Sequence, residues 1–91
     1  MIVEWEVIKN MYRDSVELMR VATEVRDEFA LAETDAIMGT DSNKARLREQ
    51  GILYEESTID ADANDILLVA TGDENVGEAV SEMKDRIQHH N

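Results

Sequence analysis

Three polar clusters contain residue types that can do chemistry. The richest is Gly39-Thr40-Asp41-Ser42-Asn43-Lys44, a glycine turn running into a candidate helix start. Free N–H groups at a helix start, the helix dipole, the Thr40 hydroxyl and the Lys44 ammonium suit a phosphate or a carboxylate. This is not a Walker loop, because the six-residue glycine spacing and the Lys-Ser/Thr pair are absent. Asp41 competes for the same donors. The second cluster is the turn Asn10-Met11-Tyr12-Arg13-Asp14-Ser15. Asp14 reads as a helix cap, and Ser15 has no mid-chain histidine to activate it as a nucleophile. The third is Asn64-Asp65. If all three meet, Gly39, Thr40, Asn43 and Lys44 would hold a small anion, and Asp14, Ser15, Asn64 and Asp65 would organise or rim the site.

Other patterns resolve to blander readings. Asp60-x-Asp62-x-Asn64 copies the opening of a calcium loop. Asp65 stands at the sixth position, where glycine is needed, and Thr71 at the twelfth, where a bidentate Glu is needed. An acidic solvated loop is the expectation. His89 and His90 lie at the chain end with no third ligand at useful spacing. Glu55 and Glu56 are adjacent and cannot converge on one substrate bond. No catalytic residue, metal ligand or cofactor is expected, and no activity of the chain on its own.

Composition narrows the function further. The 91 residues read as a single domain, 1–91. Nine Lys and Arg oppose 21 Asp and Glu, a net charge of -12. That balance disfavours nucleic acid, whose phosphates demand basic side chains, and anionic membrane surfaces. The absence of cysteine excludes disulfides, a thiolate zinc site and a cysteine nucleophile. No apolar run approaches the roughly 18 residues that span a bilayer. The N-terminal stretch carries Glu4 and Glu6 and no basic flank, unlike a signal peptide. A cytoplasmic protein is expected.

Three strands and three helices must position the clusters. Residues 2–9 alternate, with Val3, Trp5 and Val7 opposite Glu4 and Glu6, the period of a half-exposed strand. Asp14 and Glu17 form a capping box ahead of a helical stripe of Leu18, Met19, Ala22, Val25 and Phe29. Residues 34–38 form a second strand. Asp41 or Ser42 caps a short helix over 43–50, closed by Gly51. Residues 52–64 are an acidic connection in which Ile52 and Leu53 should face inward. Residues 65–71 are apolar on both faces, as in a central strand. Val76, Ala79, Val80, Met83 and Ile87 then recur at helical spacing. Trp5, Met19, Met38 and Met83 read as core, and Tyr12 as a rim residue.

This order predicts a small α/β (α+β) fold, the ferredoxin-like split β-α-β sandwich. The three-stranded sheet takes the order 1-3-2, with two packing helices, one short helix and no fourth strand. The third strand, being the most apolar, takes the middle. The polar face of the first suits an antiparallel sheet open to water on one side. The first strand is then an exposed edge, which predicts homodimerisation or docking against another domain. Strands 1 and 2 end at one rim, about 10 Å apart, and strand 3 begins there, so the three polar clusters converge.

Asp14-Ser15-Val16-x-Leu18-Met19, Met38-Gly39-Thr40-x-x-Asn43-Lys44 and Asn64-Asp65-Ile66 occur in that order. They resemble the N-terminal region of FdrA-type proteins, which are similar to the succinyl-CoA synthetase alpha subunit. The resemblance runs from about residue 7 to residue 80. It implies acyl-CoA-synthetase-like machinery, with a CoA-ligase-like or transferase domain as partner. The Gly-rich nucleotide loop and phosphorylatable histidine of that machinery are absent here. Asp41 and Ala63 also stand where the family often has proline. The resemblance therefore implies a non-catalytic accessory or docking module. The alternative is a purely structural homodimerisation module without a small ligand.

Overall fold

The computed structural model describes residues 1–51 and 59–89. Its elements are β1 (Ile2–Ile8), α1 (Ser15–Phe29), β2 (Glu33–Met38), α2 (Asp41–Glu49), β3 (Ile66–Gly72) and α3 (Val76–Gln88). The sheet order is β1-β3-β2, and β3 is antiparallel to both neighbours. This is the expected split β-α-β arrangement. The expectations for Ile52, Leu53, Glu55, Glu56 and His90 fall outside the described residues. Among the described residues, no helix is long and apolar enough to cross a membrane.

β3 is buried along its whole length because it supplies both faces of the sheet. Ile66, Leu68 and Ala70 join Leu18, Val21, Ala22 and Val25 of α1 and Val76, Ala79, Val80, Met83 and Ile87 of α3. Leu67 and Val69 face the other way and pack with Leu47 of α2, Ile59 and Ala61. The expected water-facing side is therefore partly covered. The charged face of β1 does not serve as that open side either. Glu6 pairs with Lys84 of α3 at 2.7 Å, while Val3 and Val7 pack on the Leu47 side.

Two apolar residues expected in the core lie outside it. Trp5 is 38% exposed and Met19 67%. In α1 the buried stripe is Leu18, Val21, Ala22 and Val25, an i, i+3, i+4, i+7 series that excludes position 19. Met83 is fully buried, and Met38 packs partly buried against the main cluster. Arg86 of α3 forks Glu28 of α1 at 2.7 and 3.0 Å and reaches Glu82 at 2.7 Å. These bonds hold the Glu28 carboxyl below its ordinary range and pin the two helices side by side.

Candidate functional site at the strand-end rim

Ile8 and Met38 both sit opposite Ile66, so β1 and β2 do end at the rim where β3 begins. Asp65 organises that rim. Only 1% of it is exposed. Its Oδ1 accepts the Asn10 N–H at 2.8 Å, and its Oδ2 accepts the Asp62 N–H and the Lys9 ammonium, each at 3.0 Å. The Asn10 and Asp62 N–H groups, then Lys9, hold the carboxyl down to about 2 although burial pushes the other way. The same bond to Asp65 is the main influence raising Lys9 above its ordinary value. Asn10 has a φ of 52°, a left-handed conformation that asparagine tolerates. The carboxylate thus fixes a sharp turn as β1 ends.

Most of the expected anion holders are engaged inside the fold. Lys44 is 9% exposed, and its ammonium donates to the Ala61 carbonyl at 2.9 Å. The Thr40 hydroxyl accepts the Asn43 N–H at 3.1 Å. Thr40 therefore caps α2 where Asp41 or Ser42 was expected, and Asp41 opens the helix instead. The Asn43 side chain donates to the Met38 carbonyl at 2.8 Å. Gly39 is close-packed: a Cβ there would lie 2.8 Å from the Asp62 carbonyl oxygen and 2.9 Å from the Ala61 Cβ. Gly39→Ala is expected to destabilise the fold by about 1–3 kcal/mol through this overpacking, read as a lower melting temperature. An unchanged melting temperature would show that the 61–62 backbone yields freely.

Asp14 caps α1 by accepting the Val16 N–H at 2.8 Å, and Glu17 lies 3.4 Å from Arg13. Ser15 and Asn43 both line a groove along β2. Asn64 instead joins Asn10, Met11, Tyr12, Met38 and Ala63 around a cleft of about 310 Å³ at the rim. The Asn64 N–H donates to Asp62 at 2.9 Å, so the acidic loop folds on itself. The predicted residues thus divide between groove, cleft and internal ties. Lys9 was missed. Its signal was available: Lys9 follows Ile8 and Asp65 precedes Ile66, and antiparallel pairing of those strands makes them neighbours.

Fold and rim together define a small ferredoxin-like α+β module whose polar rim residues mostly brace its turns. A family model described as AllF, heavy metal-associated domain, matches residues 1–91. The chain belongs to that family. No curated protein and no solved structure matches it. This membership replaces the expected one among FdrA-type, acyl-CoA-synthetase-like proteins. The motifs behind that expectation are largely caps and turns: Asp14, Thr40 and Asn43 satisfy backbone groups at helix starts, a local need that unrelated βα units share.

The family name raises the question of a metal. Soft metal ions select thiolate, thioether and imidazole donors. The chain has no cysteine. Among the described residues, no group of three His, Cys, Asp or Glu converges. The sulfurs at the rim are the thioethers of Met11 and Met38, both packed against the apolar core. These residues do not fit a thiolate-type centre.

Proposed function

We propose that the chain is a non-catalytic accessory module that acts by docking to another protein and holds no metal tightly. The observation behind this reading is the donor set, a heavy metal-associated domain without one cysteine. The engagement of Lys44, Thr40 and Asp65 within the fold supports it. In this reading the rim polar groups hold loops in place, and the module's work is done by its surface.

The test is titration of the full chain with Cu(I), Zn(II) and Cd(II) against a competing chelator, following methionine methyl and backbone amide signals. No ion should be held more tightly than millimolar. One equivalent of any of these ions bound at micromolar strength would overturn the reading. Inorganic phosphate, added separately, should leave the amides of residues 39–44 unshifted.

A further inference from the structure

The sheet has two outer edges among the described residues, β1 and β2. β1 presents Glu4 and Glu6, with Glu6 tied to Lys84, a charge pattern that blunts strand pairing. β2 is different. Its free edge is the floor of a groove of about 400 Å³ between α1 and α2. Leu18, Met19 and Arg26 stand on the α1 wall, and Asn43 and Arg46 on the α2 wall.

The backbone of β2 is set up to accept a strand. The Gly39 N–H donates to the Asp65 carbonyl at 2.8 Å, while Met38 sits opposite Ile66. That bond marks Met38 and Ile66 as a non-hydrogen-bonded pair. By the alternation of an antiparallel ladder, Thr34, Ala36 and Met38 then turn their N–H and C=O groups away from β3. The outward Met38 carbonyl already accepts the Asn43 side chain at 2.8 Å. Among the described residues, the outward groups of Thr34 and Ala36 remain for a partner strand.

Charge indicates which partner fits. Arg46 lies 3.8 Å from Asp35. The Thr34 hydroxyl donates to the Ala22 carbonyl at 2.6 Å, which places Arg26, one turn beyond Ala22, near the same end of β2. Two guanidinium groups therefore flank the Thr34–Asp35 end, one from each face of the sheet. Among the described residues Asp35 is the one carboxylate in the groove lining, although acids outnumber bases 21 to 9 in the chain. The Met38 end is more apolar, with Leu18 and Met19. A second copy of this chain, itself at -12, would bring Glu33 and Asp35 of its own β2 against this edge.

We infer that β2 receives an extended segment of a partner protein by strand addition, with acidic side chains at the Thr34 end and apolar ones at the Met38 end. Main-chain bonds to Thr34 and Ala36 would supply affinity, and alternate side chains would meet the two walls. Because successive side chains of a strand point to opposite faces, neighbouring acids would reach Arg26 and Arg46 separately. The inference rests on the accessory-module reading and names its docking surface.

The test titrates the full chain with a synthetic heptapeptide of alternating valine and threonine ending in two glutamates, and with the same peptide ending in two lysines. The glutamate peptide should shift the Thr34 and Ala36 amides and slow their exchange, and the lysine peptide should bind at least tenfold more weakly. Arg26→Glu with Arg46→Glu should reverse that preference. Ala36→Pro removes an outward donor and should abolish binding; if it fails to fold, the charge-reversal variant decides alone. Absence of shifts at millimolar peptide, shifts confined to β1, or indifference to charge reversal would overturn the inference. So would concentration-dependent dimerisation that buries β2. A failed peptide titration beside a silent metal titration removes the docking surface and leaves the metal-free reading standing.

Discussion

Asp65→Asn is expected to lower the melting temperature by on the order of 10 °C. One carboxylate satisfies the Asn10 N–H, the Asp62 N–H and the Lys9 ammonium at 2.8–3.0 Å. An amide keeps one acceptor oxygen and turns an NH₂ group toward donors. Buried donors left unmet cost more than the net worth of the bonds they lose. The turn after β1 and the entry to β3 loosen together, because the same side chain holds both.

The pH dependence separates this bond set from simple packing. The folded-state value of Asp65 is about 2, against an ordinary 3.8. The unfolded chain therefore takes up its proton first as pH falls. The stabilisation is fully present above the ordinary value and is lost as pH falls through about 2. Asp65→Asn cannot titrate there. The stability gap between wild type and variant should be widest near neutral pH and narrow steadily below about pH 4. Thermal melts of both proteins from neutral to about pH 2 check this. A gap that stays constant to the acid limit would show that the charge contributes nothing beyond shape.

The architecture was legible because its signals are local and periodic. Alternation in β1, the five buried residues of α3 and the doubly apolar β3 each carry their own period. The central place of β3 followed from its lack of a polar face. The site was less legible because polar residues at element ends serve two masters. Asp14, Thr40 and Asn43 have the types expected of ligand contacts and of caps, and only geometry shows the bonds to Val16, Asn43 and Met38. Lys44 suits an anion by its type and could equally brace the backbone; the path of the chain past α2 brings the Ala61 carbonyl over it. Met19 goes the other way. The helical stripe counted it inward, but the buried stripe runs through Val21 instead, and Met19 stands on the wall of the β2 groove. That groove joins three consecutive elements, with α1 on one face of the sheet, α2 on the other and the edge of β2 between them, so no single motif announces it.

The two-sided burial of β3 sets up the last expectation. Leu47→Ala should cost about 3 kcal/mol, or roughly 15 °C for a domain of this size, but the loss should be uneven. Leu47 and Lys44 are the only buried residues of α2, and Leu47 is the helix's apolar anchor among Ile59, Ala61, Leu67 and Val69. The main cluster with α1 and α3 lies across the sheet and keeps its own residues. Removing the Leu47 side chain therefore leaves α2 held by polar ties, the Asn43 bond to Met38 and the Lys44 bond to Ala61. Such a layer opens below the global unfolding free energy. Amide exchange in α2 should accelerate well before that in α1, α3 or β3, whereas Leu68→Ala, on the opposite face, should accelerate exchange everywhere. Equal acceleration in all elements for both variants would mean that the two faces unfold as one unit. Since α2 is one wall of the β2 groove, Leu47→Ala should also weaken the acidic peptide while Arg26 stays in place.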